Sequence, residues 1–330
     1  MDRYTALATL VADAWAAIAG RAEAATSVAA DSAEGWALIP AGVGRNGVVF
    51  RAERPGEVCA AKVSPDDDRS RGAREHAALC LLRDTAAGAA PRPRALVTRP
   101  DGLPVTVLVS SWLDGSTAAA MVAAGRREPD GLAGDLVDLL AAVHTGTRHA
   151  ADHLRPAVYV TAAQLFERTR WYAARAADPH VDALVERAHS QLAEAPGNNA
   201  PPALVHGDVN LANVLVTPGG LRLVDWENAG RGDPCLDMAD MCVHPGAFGG
   251  EPDRWPELID RHTRGLGHPT AARRTWFYAR LLTVLWAAIS RAEAYRPRVR
   301  MAGTGGHSAT VLTEQADRYI ELAWTLLGRH

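Results

Sequence analysis

The sequence is almost without lysine. Lys62 is the single lysine among 35 lysine and arginine residues, and every other basic side chain is an arginine. Arginine presents its donors in a rigid planar fork, whereas lysine offers a compact ammonium on a flexible stem. A lysine kept in so arginine-rich a chain suggests a task that arginine cannot perform.

Long apolar runs and paired cysteines are also missing. No uninterrupted apolar stretch reaches the roughly 18 residues that suggest a membrane span, so no membrane partner is expected. Residues 1–20 lack the basic region of an export signal and predict an amphipathic helix, which favours a cytoplasmic protein. Buried free thiols, rather than a zinc site or disulfides, are expected at Cys59, Cys80, Cys235 and Cys242, which contain no C-x-x-C pair.

The charge balance excludes a large polyanionic partner. The formal net charge is −3, and the basic clusters are too short for a nucleic-acid footprint. With 48% hydrophobic and 22% charged residues the composition is that of a globular protein. A length of 330 residues predicts two domains or one bilobal unit, and no internal repeat is seen.

The pattern of the chain changes near Trp112. Before it, residues 35–63 predict three antiparallel strands, residues 70–83 a helix, and residues 94–111 a further hairpin. After it, alanine- and leucine-rich segments predict helices at about 132–145, 161–176, 180–194, 254–266, 270–295 and 309–328. A compact island at 203–227 interrupts these helices.

A glycine loop links the first two predicted strands. Gly42, Gly44 and Gly47 form a G-x-G-x-x-G, a string that dinucleotide-binding folds also use. A dinucleotide-binding loop must open a helix, but the residues after Gly47 are strand-like and soon meet a Pro-Gly turn. A glycine loop between two strands favours phosphate binding in the manner of a kinase, with an ordinary hairpin turn as the alternative.

Lys62 follows this loop at the end of the third predicted strand. Kinases place at that point the lysine that holds the nucleotide phosphates. Glu75, on the next predicted helix, is the natural carboxylate partner for this lysine. Without the loop and the lysine, Glu75 would be interpreted as a solvated surface residue.

Acidic and amide side chains concentrate in the island. Asp208, Asn213 and Asp225 supply two carboxylates and one amide oxygen near predicted strand ends. Hard oxygen ligands of this kind suit Mg²⁺, which keeps room for phosphate oxygens in its shell. A carboxylate that is not committed to metal can orient a substrate hydroxyl.

The island resembles a known family. The strings HGDVNLANVL at 206–215 and VDWENAGRGDPCLDMA at 224–239 are similar to motifs of the aminoglycoside phosphotransferase and choline kinase-like family. The resemblance extends from the glycine loop to Asp240. It implies an α+β, bilobal protein kinase-like fold, with a small antiparallel sheet and one helix in the N-terminal lobe and a larger, mainly helical C-terminal lobe. The implied boundaries are 1–109 for the nucleotide-binding lobe, 110–115 for the hinge and 116–330 for the helical lobe.

The resemblance also implies roles for single residues. Asp208 is the implied catalytic aspartate, and Asn213 and Asp225 are the implied magnesium ligands. Lys62 and Glu75 would position the phosphates. A hinge whose backbone meets the nucleotide base is implied at Ser110, Ser111, Trp112 and Leu113. Asp233 is predicted to cap a helix that begins at Pro234, and Asp237 to brace the catalytic loop.

The expected activity is transfer of the γ-phosphoryl group of ATP, or of GTP, with Mg²⁺ to a hydroxyl of a small molecule. A small acceptor is favoured over a protein because few residues separate Asp225 from the next predicted helix, which leaves no room for a regulated activation loop. An aminoglycoside or similar antibiotic is the first expectation, and a metabolic aminosugar or amino alcohol is the alternative. A catalytically silent nucleotide-binding module is a third possibility. Contacts to a cationic acceptor, or else ordinary structural carboxylates, are expected at Glu227, Asp240 and Glu293, in a protein that acts as a monomer or dimer.

Overall fold

The computed structural model describes residues 3–19, 35–44, 47–158, 161–192, 195, 201–247, 252–295 and 308–328. These residues form two compact units. The first unit contains the described residues up to Gly115 together with Thr217–Asn228. The second unit contains the described residues within Ser116–Val216 and those from Ala229 onward.

The first unit is built on an antiparallel sheet. The elements of this unit are α1 (Arg3–Ala19), β1 (Ala37–Val43), β2 (Val48–Arg54), β3 (Glu57–Pro65), α2 (Arg71–Thr85), β4 (Pro93–Thr98), β5 (Val105–Ser111) and β9 (Gly220–Leu223). The five long strands of the sheet follow the order β1-β2-β3-β5-β4, and every neighbouring pair is antiparallel.

Side chains of β3 alternate between the two faces of this sheet, as the period of a strand requires. Cys59, Ala61 and Val63 enter an apolar core that also contains Leu7 and Val11 of α1. The residues between them face the opposite side. The alternation thereby directs Lys62 away from the apolar core and toward α2.

The second unit is mainly helical. The elements of this unit are β6 (Ser116–Thr117), α3 (Ala118–Ala123), α4 (Pro129–Thr147), α5 (Ala162–Ala176), α6 (Pro179–Leu192), β7 (Ala203–Val205), β8 (Val214–Thr217, whose last residue groups with the first unit), β10 (Gly230–Gly232), α7 (Pro234–Val243), α8 (Trp255–Leu266), α9 (Ala271–Tyr295) and α10 (Ala309–Leu327). A short antiparallel ladder joins β7 to β10, and β6 pairs with β8.

Helix α9 forms the centre of the second unit. Most of its residues are buried, and it packs against α5, α7 and α10. Helix α7 begins as predicted, because the Asp233 carboxylate accepts a hydrogen bond from the Cys235 N–H at 3.0 Å and Pro234 occupies the first turn. The other oxygen of Asp233 accepts from Arg274 Nε of α9 at 3.0 Å. This contact ties the start of α7 to the central helix.

The predicted α+β fold with an antiparallel sheet and a helical majority is confirmed. The four cysteines are free thiols, and three of them are buried. Within the described ranges, no helix is both long enough and apolar enough to cross a bilayer.

Candidate active site

The glycine loop closes a hairpin between β1 and β2. The Gly44 N–H donates to the Gly47 carbonyl at 2.9 Å, and Val43 pairs with Val48. A Cβ placed on Gly47 would collide with the main-chain carbonyl oxygen of Val63 in β3. Gly47 is therefore required by close backbone packing beside Lys62, whereas a Cβ on Gly42 would meet no atom of the described residues within 4 Å.

Lys62 is surrounded by carboxylates of the first unit. Its Nζ lies 2.7 Å from Glu75 Oε2 of α2 and 2.5 Å from Asp225 Oδ1, which follows β9. A third carboxylate, Glu227, approaches with Oε2 at 3.4 Å. We call Lys62, Glu75, Asp225 and Glu227 the lysine cluster.

The lysine cluster keeps its ammonium charged. Burial acts to lower the pKa of Lys62, but Glu75, Asp225 and Glu227 outweigh it and raise the pKa above the ordinary value. Burial also raises the pKa of Glu75, yet an ammonium at 2.7 Å favours its ionised form. Glu227 is shared with a second cation, because its Oε1 lies 3.6 Å from Arg71 Nε. The cluster is a buried ionic network rather than a single pair.

Asp225 adopts an unusual backbone conformation. Its φ of 67° lies in the left-handed region, which aspartate tolerates better than bulkier residues. This conformation accompanies a side chain that is 40% exposed while one oxygen contacts Lys62. Strained backbone often occurs at functional residues, and here it presents a carboxylate both to the lysine and to solvent.

The predicted hinge lies at the end of β5. Ser110 is buried within the sheet, and Ser111 exchanges hydrogen bonds with Arg92 through its N–H and its hydroxyl. Trp112 and Leu113 are half-buried, and the indole Nε1 of Trp112 donates to Asp114 Oδ1 at 2.9 Å.

Asp208 lies in the loop that leaves β7, and two asparagines hold its carboxylate. Asn210 Nδ2 donates to Oδ1 at 3.0 Å, and Asn213 Nδ2 donates to Oδ2 at 3.2 Å. The Asn210 amide is oriented by the Ala212 N–H, which donates to its Oδ1 at 2.9 Å. The Asp208 side chain is nevertheless 32% exposed. A fixed carboxylate is thus open to a ligand.

Two aspartates of α7 brace this loop from behind. Asp237 accepts the N–H groups of His206 at 2.6 Å and Gly207 at 2.9 Å, in the bracing position predicted for it. Burial alone would raise the pKa of Asp237, but hydrogen bonds from His144 and from the His206 N–H lower it. Asp240 accepts the Val209 N–H at 2.9 Å. The backbone around Asp208 is therefore anchored on both sides.

The three carboxylates expected near a cationic acceptor differ in their surroundings. Glu227 is buried in the lysine cluster. Asp240 is buried under the Asp208 loop, where burial and the neighbouring Asp208 charge raise its pKa well above the usual value. Glu293 is half-buried near the end of α9, and no contact seen around Asp208 in the described residues involves it.

The structure adds three residues to those chosen from the sequence. Arg71 joins the lysine cluster through Glu227, and Asn210 and His244 both approach Asp208 Oδ1, His244 with its Nε2 at 3.4 Å. Asn210 was visible in the island motif but carried no assigned role. His244 had no signal in the sequence, because it is far from Asp208 along the chain.

Solved structures of small-molecule kinases share this fold. A choline/ethanolamine kinase family protein from Mesorhizobium loti has a TM-score of 0.61 at 18% identity, over 96% of this chain and 94% of that one. A thermostable mutant of the aminoglycoside phosphotransferase APH(4)-Ia, in a ternary complex with AMP-PNP and hygromycin B, has a TM-score of 0.60 at 17% identity, over 88% and 96%. The chain has the protein kinase-like architecture of this class.

The family is identified at the level of sequence. The chain belongs to the phosphotransferase enzyme family (APH), whose family model matches residues 35–278. The predicted resemblance is therefore confirmed. A thiamine kinase from Escherichia coli O1:K1 / APEC is 31% identical over 104 residues, which are 30% of this chain and 33% of that protein. The chain thus aligns with about a third of this curated relative.

Proposed function

We propose that this protein transfers the γ-phosphoryl group of ATP to a hydroxyl group of a small molecule. The observation that carries the proposal is the Asp208 carboxylate, which two asparagine amides hold at both oxygens while it stays one-third exposed. Phosphoryl transfer asks the protein mainly for positioning and charge, and an aspartate that accepts the hydroxyl proton is its usual catalytic group.

The lysine cluster and the glycine loop are the proposed nucleotide site. Lys62 is charged and fixed by Glu75, so that it can bind phosphate oxygens without first being ordered. Ser110, Ser111, Trp112 and Leu113 are proposed to meet the base through their backbone. The AMP-PNP complex of APH(4)-Ia supports ATP as the donor, and GTP is the alternative to test.

The donor set suits Mg²⁺. Among the described residues, both hydrogen bonds of the Asn213 side chain leave from Nδ2, so its amide oxygen keeps its lone pairs there, and Asp225 presents a partly exposed carboxylate. Within the described residues no group of three or more His, Cys, Asp or Glu side chains forms a metal site, but Mg²⁺ commonly takes one or two protein oxygens and completes its shell with phosphate and water. The bound ion would neutralise phosphate charge, and Asn213 and Asp225 would hold it.

The proposed reaction exchanges one phosphorus–oxygen bond for another. The acceptor oxygen forms a bond to the γ-phosphorus, the bond from that phosphorus to the bridging oxygen breaks, and ADP leaves with the electron pair. Asp208 accepts the hydroxyl proton. Lys62 compensates the phosphate charge throughout.

Two classes of acceptor have support. Hygromycin B bound to APH(4)-Ia supports an aminoglycoside or similar antibiotic, which would make the protein a resistance enzyme. The thiamine kinase segment and the choline/ethanolamine kinase-like fold support a metabolic alcohol with a cationic group. A panel of aminoglycosides, thiamine, amino alcohols and aminosugars, each with ATP and GTP, separates the two classes by turnover.

Substitution of Asp208 tests its role as the proton acceptor. Asp208→Asn removes the proton acceptor but keeps the shape of the side chain, and we expect turnover with the best acceptor of the panel to fall about 100- to 10,000-fold. Affinity for AMP-PNP, measured by calorimetry, is expected to change by less than about twofold, because Asp208 holds no phosphate.

Asp260→Asn is the matched control, since Asp260 is exposed on α8. Its turnover is expected to equal that of the wild type. Full turnover in Asp208→Asn would refute the assignment of Asp208. Nucleotide binding without turnover of any acceptor by the wild type would favour the silent nucleotide-binding module.

A further inference from the structure

His244 lies in a turn that is fastened to the Asp208 loop. The turn begins directly after α7, and the Ala247 N–H closes it by donating to the His244 carbonyl at 2.9 Å. The Gly246 carbonyl accepts the Leu211 N–H at 2.8 Å. A main-chain hydrogen bond therefore joins the turn to the loop that carries Asp208.

The imidazole of His244 is held in one orientation. Gly246 N–H donates to its Nδ1 at 3.0 Å, and the ring of Trp286 from α9 packs against it edge to face, with centroids 4.7 Å apart. With Nδ1 and the ring edge fixed, Nε2 lies 3.4 Å from Asp208 Oδ1. Trp286 thus supports a contact with the proposed catalytic carboxylate.

The hydrogen bond at Nδ1 determines the tautomer. A nitrogen that accepts from a backbone N–H carries no proton, so a neutral His244 carries its proton on Nε2. Burial lowers the pKa of His244 although the Asp208 carboxylate acts in the opposite direction, and the ring is neutral at pH 7. His244 is consequently a donor toward Asp208 and has no free nitrogen with which to take a proton from it.

We propose that His244 is a positioning residue that donates Nε2–H to Asp208 Oδ1 and thereby assigns the acceptor proton to Oδ2. The inference rests on the proposed function. Oδ1 accepts from Asn210 and lies 3.4 Å from His244 Nε2, whereas among the described residues Oδ2 accepts only from Asn213 and keeps one lone pair. During transfer the hydroxyl proton moves to Oδ2 and His244 keeps its own proton. The 3.4 Å contact is long, as catalytic hydrogen bonds often are before the substrate binds, and we expect it to shorten in the reactive complex.

Two substitutions separate hydrogen bonding from packing. His244→Phe keeps an aromatic ring against Trp286 and removes the donor. His244→Gln places an amide Nε2 at a similar reach and keeps a donor. Loss of a hydrogen bond to a charged group predicts that kcat of the Phe variant falls about 10- to 100-fold. We expect KM for ATP to change by less than about twofold, and the Gln variant to recover most of kcat, with the acceptor of highest wild-type turnover as the probe.

His149→Phe is the matched control, because His149 is exposed on the surface of the same unit, and its kcat is expected to equal that of the wild type. Wild-type kcat in His244→Phe would overturn the inference. Equal losses in the Phe and Gln variants would overturn it too, since they would indicate packing alone.

The tautomer gives a readout that needs no acceptor. ¹⁵N NMR of the full-length protein with labelled histidine is expected to show His244 neutral with its proton on Nε2 at pH 7, assigned by loss of the signal in His244→Gln. A proton on Nδ1, or an imidazolium, would overturn the inference even in an active enzyme. The expected tautomer in a protein with no turnover of any acceptor would overturn the proposed function, and with it the catalytic role of His244.

Discussion

The single ammonium of Lys62 faces three carboxylates. Glu75 and Asp225 contact it at 2.7 and 2.5 Å, and Glu227 stands at 3.4 Å with Arg71 on its far side. A compact ammonium can satisfy three carboxylates from one point, whereas a planar guanidinium needs partners in one plane. The surroundings of the only lysine therefore match the geometry of lysine rather than its charge alone.

Lys62→Arg tests this distinction. We expect kcat/KM for ATP to fall about 10- to 100-fold, because the larger planar group cannot reproduce the same hydrogen bonds to charged partners. Steady-state kinetics with ATP as the varied substrate measure the effect.

No second lysine exists for a matched control, so Arg83→Lys makes the reverse exchange at an exposed position of α2. It is expected to leave kcat/KM unchanged. Undiminished kcat/KM in Lys62→Arg would show that the site requires positive charge only.

At the scale of elements, a buried chain of side chains joins α8 and α4 to α7. His262 Nε2 lies 3.1 Å from His144 Nδ1, and His144 Nε2 lies 3.1 Å from Asp237 Oδ2. Asp237 in turn holds the N–H groups of His206 and Gly207. Because an ionised Asp237 accepts a hydrogen bond from His144 Nε2, His144 Nδ1 is placed to accept one from His262 Nε2. Three helices thus converge on the loop that carries Asp208.

The buried contacts among His262, His144 and Asp237 predict that the folded state loses stability in acid. Burial, aided by His144 and opposed by Asp237, lowers the pKa of His262 to about 3. In the unfolded state His262 has an ordinary histidine pKa of about 6.5 and binds a proton that it does not bind in the native state. The free energy of unfolding therefore falls as the pH drops from about 6.5 toward about 3. From pH 7 to pH 5 the contribution of His262 to this loss is about 2 kcal/mol.

His262→Gln, which keeps a donor for His144 but does not titrate, is expected to lose about 2 kcal/mol less than the wild type over the same interval. Urea unfolding at both pH values measures this difference. His149→Gln, at an exposed site, is the control and should follow the wild type. Parallel pH dependence of the wild type and His262→Gln would contradict the linkage.

Local signals predicted the elements well. The helix predicted at 161–176 is observed at Ala162–Ala176, and it starts at a capping box in which Thr161 and Gln164 exchange hydrogen bonds. The glycine loop and the pairing of Lys62 with Glu75 were also predictable, because the residues involved are close in sequence and follow a known spacing. Signals of this kind lie within one element or between neighbouring elements.

Contacts between distant segments were not predictable. His244 lies close to Asp208 because α7 and its C-terminal turn fold back onto the loop after β7. No pattern of hydrophobic residues in the sequence indicates this contact. A glutamate such as Glu227 could equally be a solvated surface carboxylate when only the sequence is known. The structure shows instead that Glu227 is buried and pairs with Lys62 and Arg71. Burial and pairing of charged residues depend on tertiary packing, which composition does not encode.

At the scale of the whole molecule, secondary structure is divided between the two units. The long antiparallel sheet belongs to the first unit and most of the helices to the second, yet Thr217–Asn228 returns to the first unit after the chain has entered the second. This return supplies Asp225 and Glu227 to the lysine cluster. The first unit is therefore complete only after more than two hundred residues of chain. Its lysine cluster depends on a segment that is distant in sequence from the strands of the sheet.

Because Lys62 is the only lysine in the sequence, cleavage at this residue can report how often the first unit opens. A protease that cleaves only after lysine has one target in all 330 residues, and that side chain is 16% exposed in the structure. We expect digestion to yield only two products, residues 1–62 and 63–330, at a rate set by how often the first unit opens. An arginine-specific protease, with exposed targets such as Arg83, provides the comparison. Rapid lysine-specific cutting of the native protein would mean that β3 is far less protected than its ion pairs indicate.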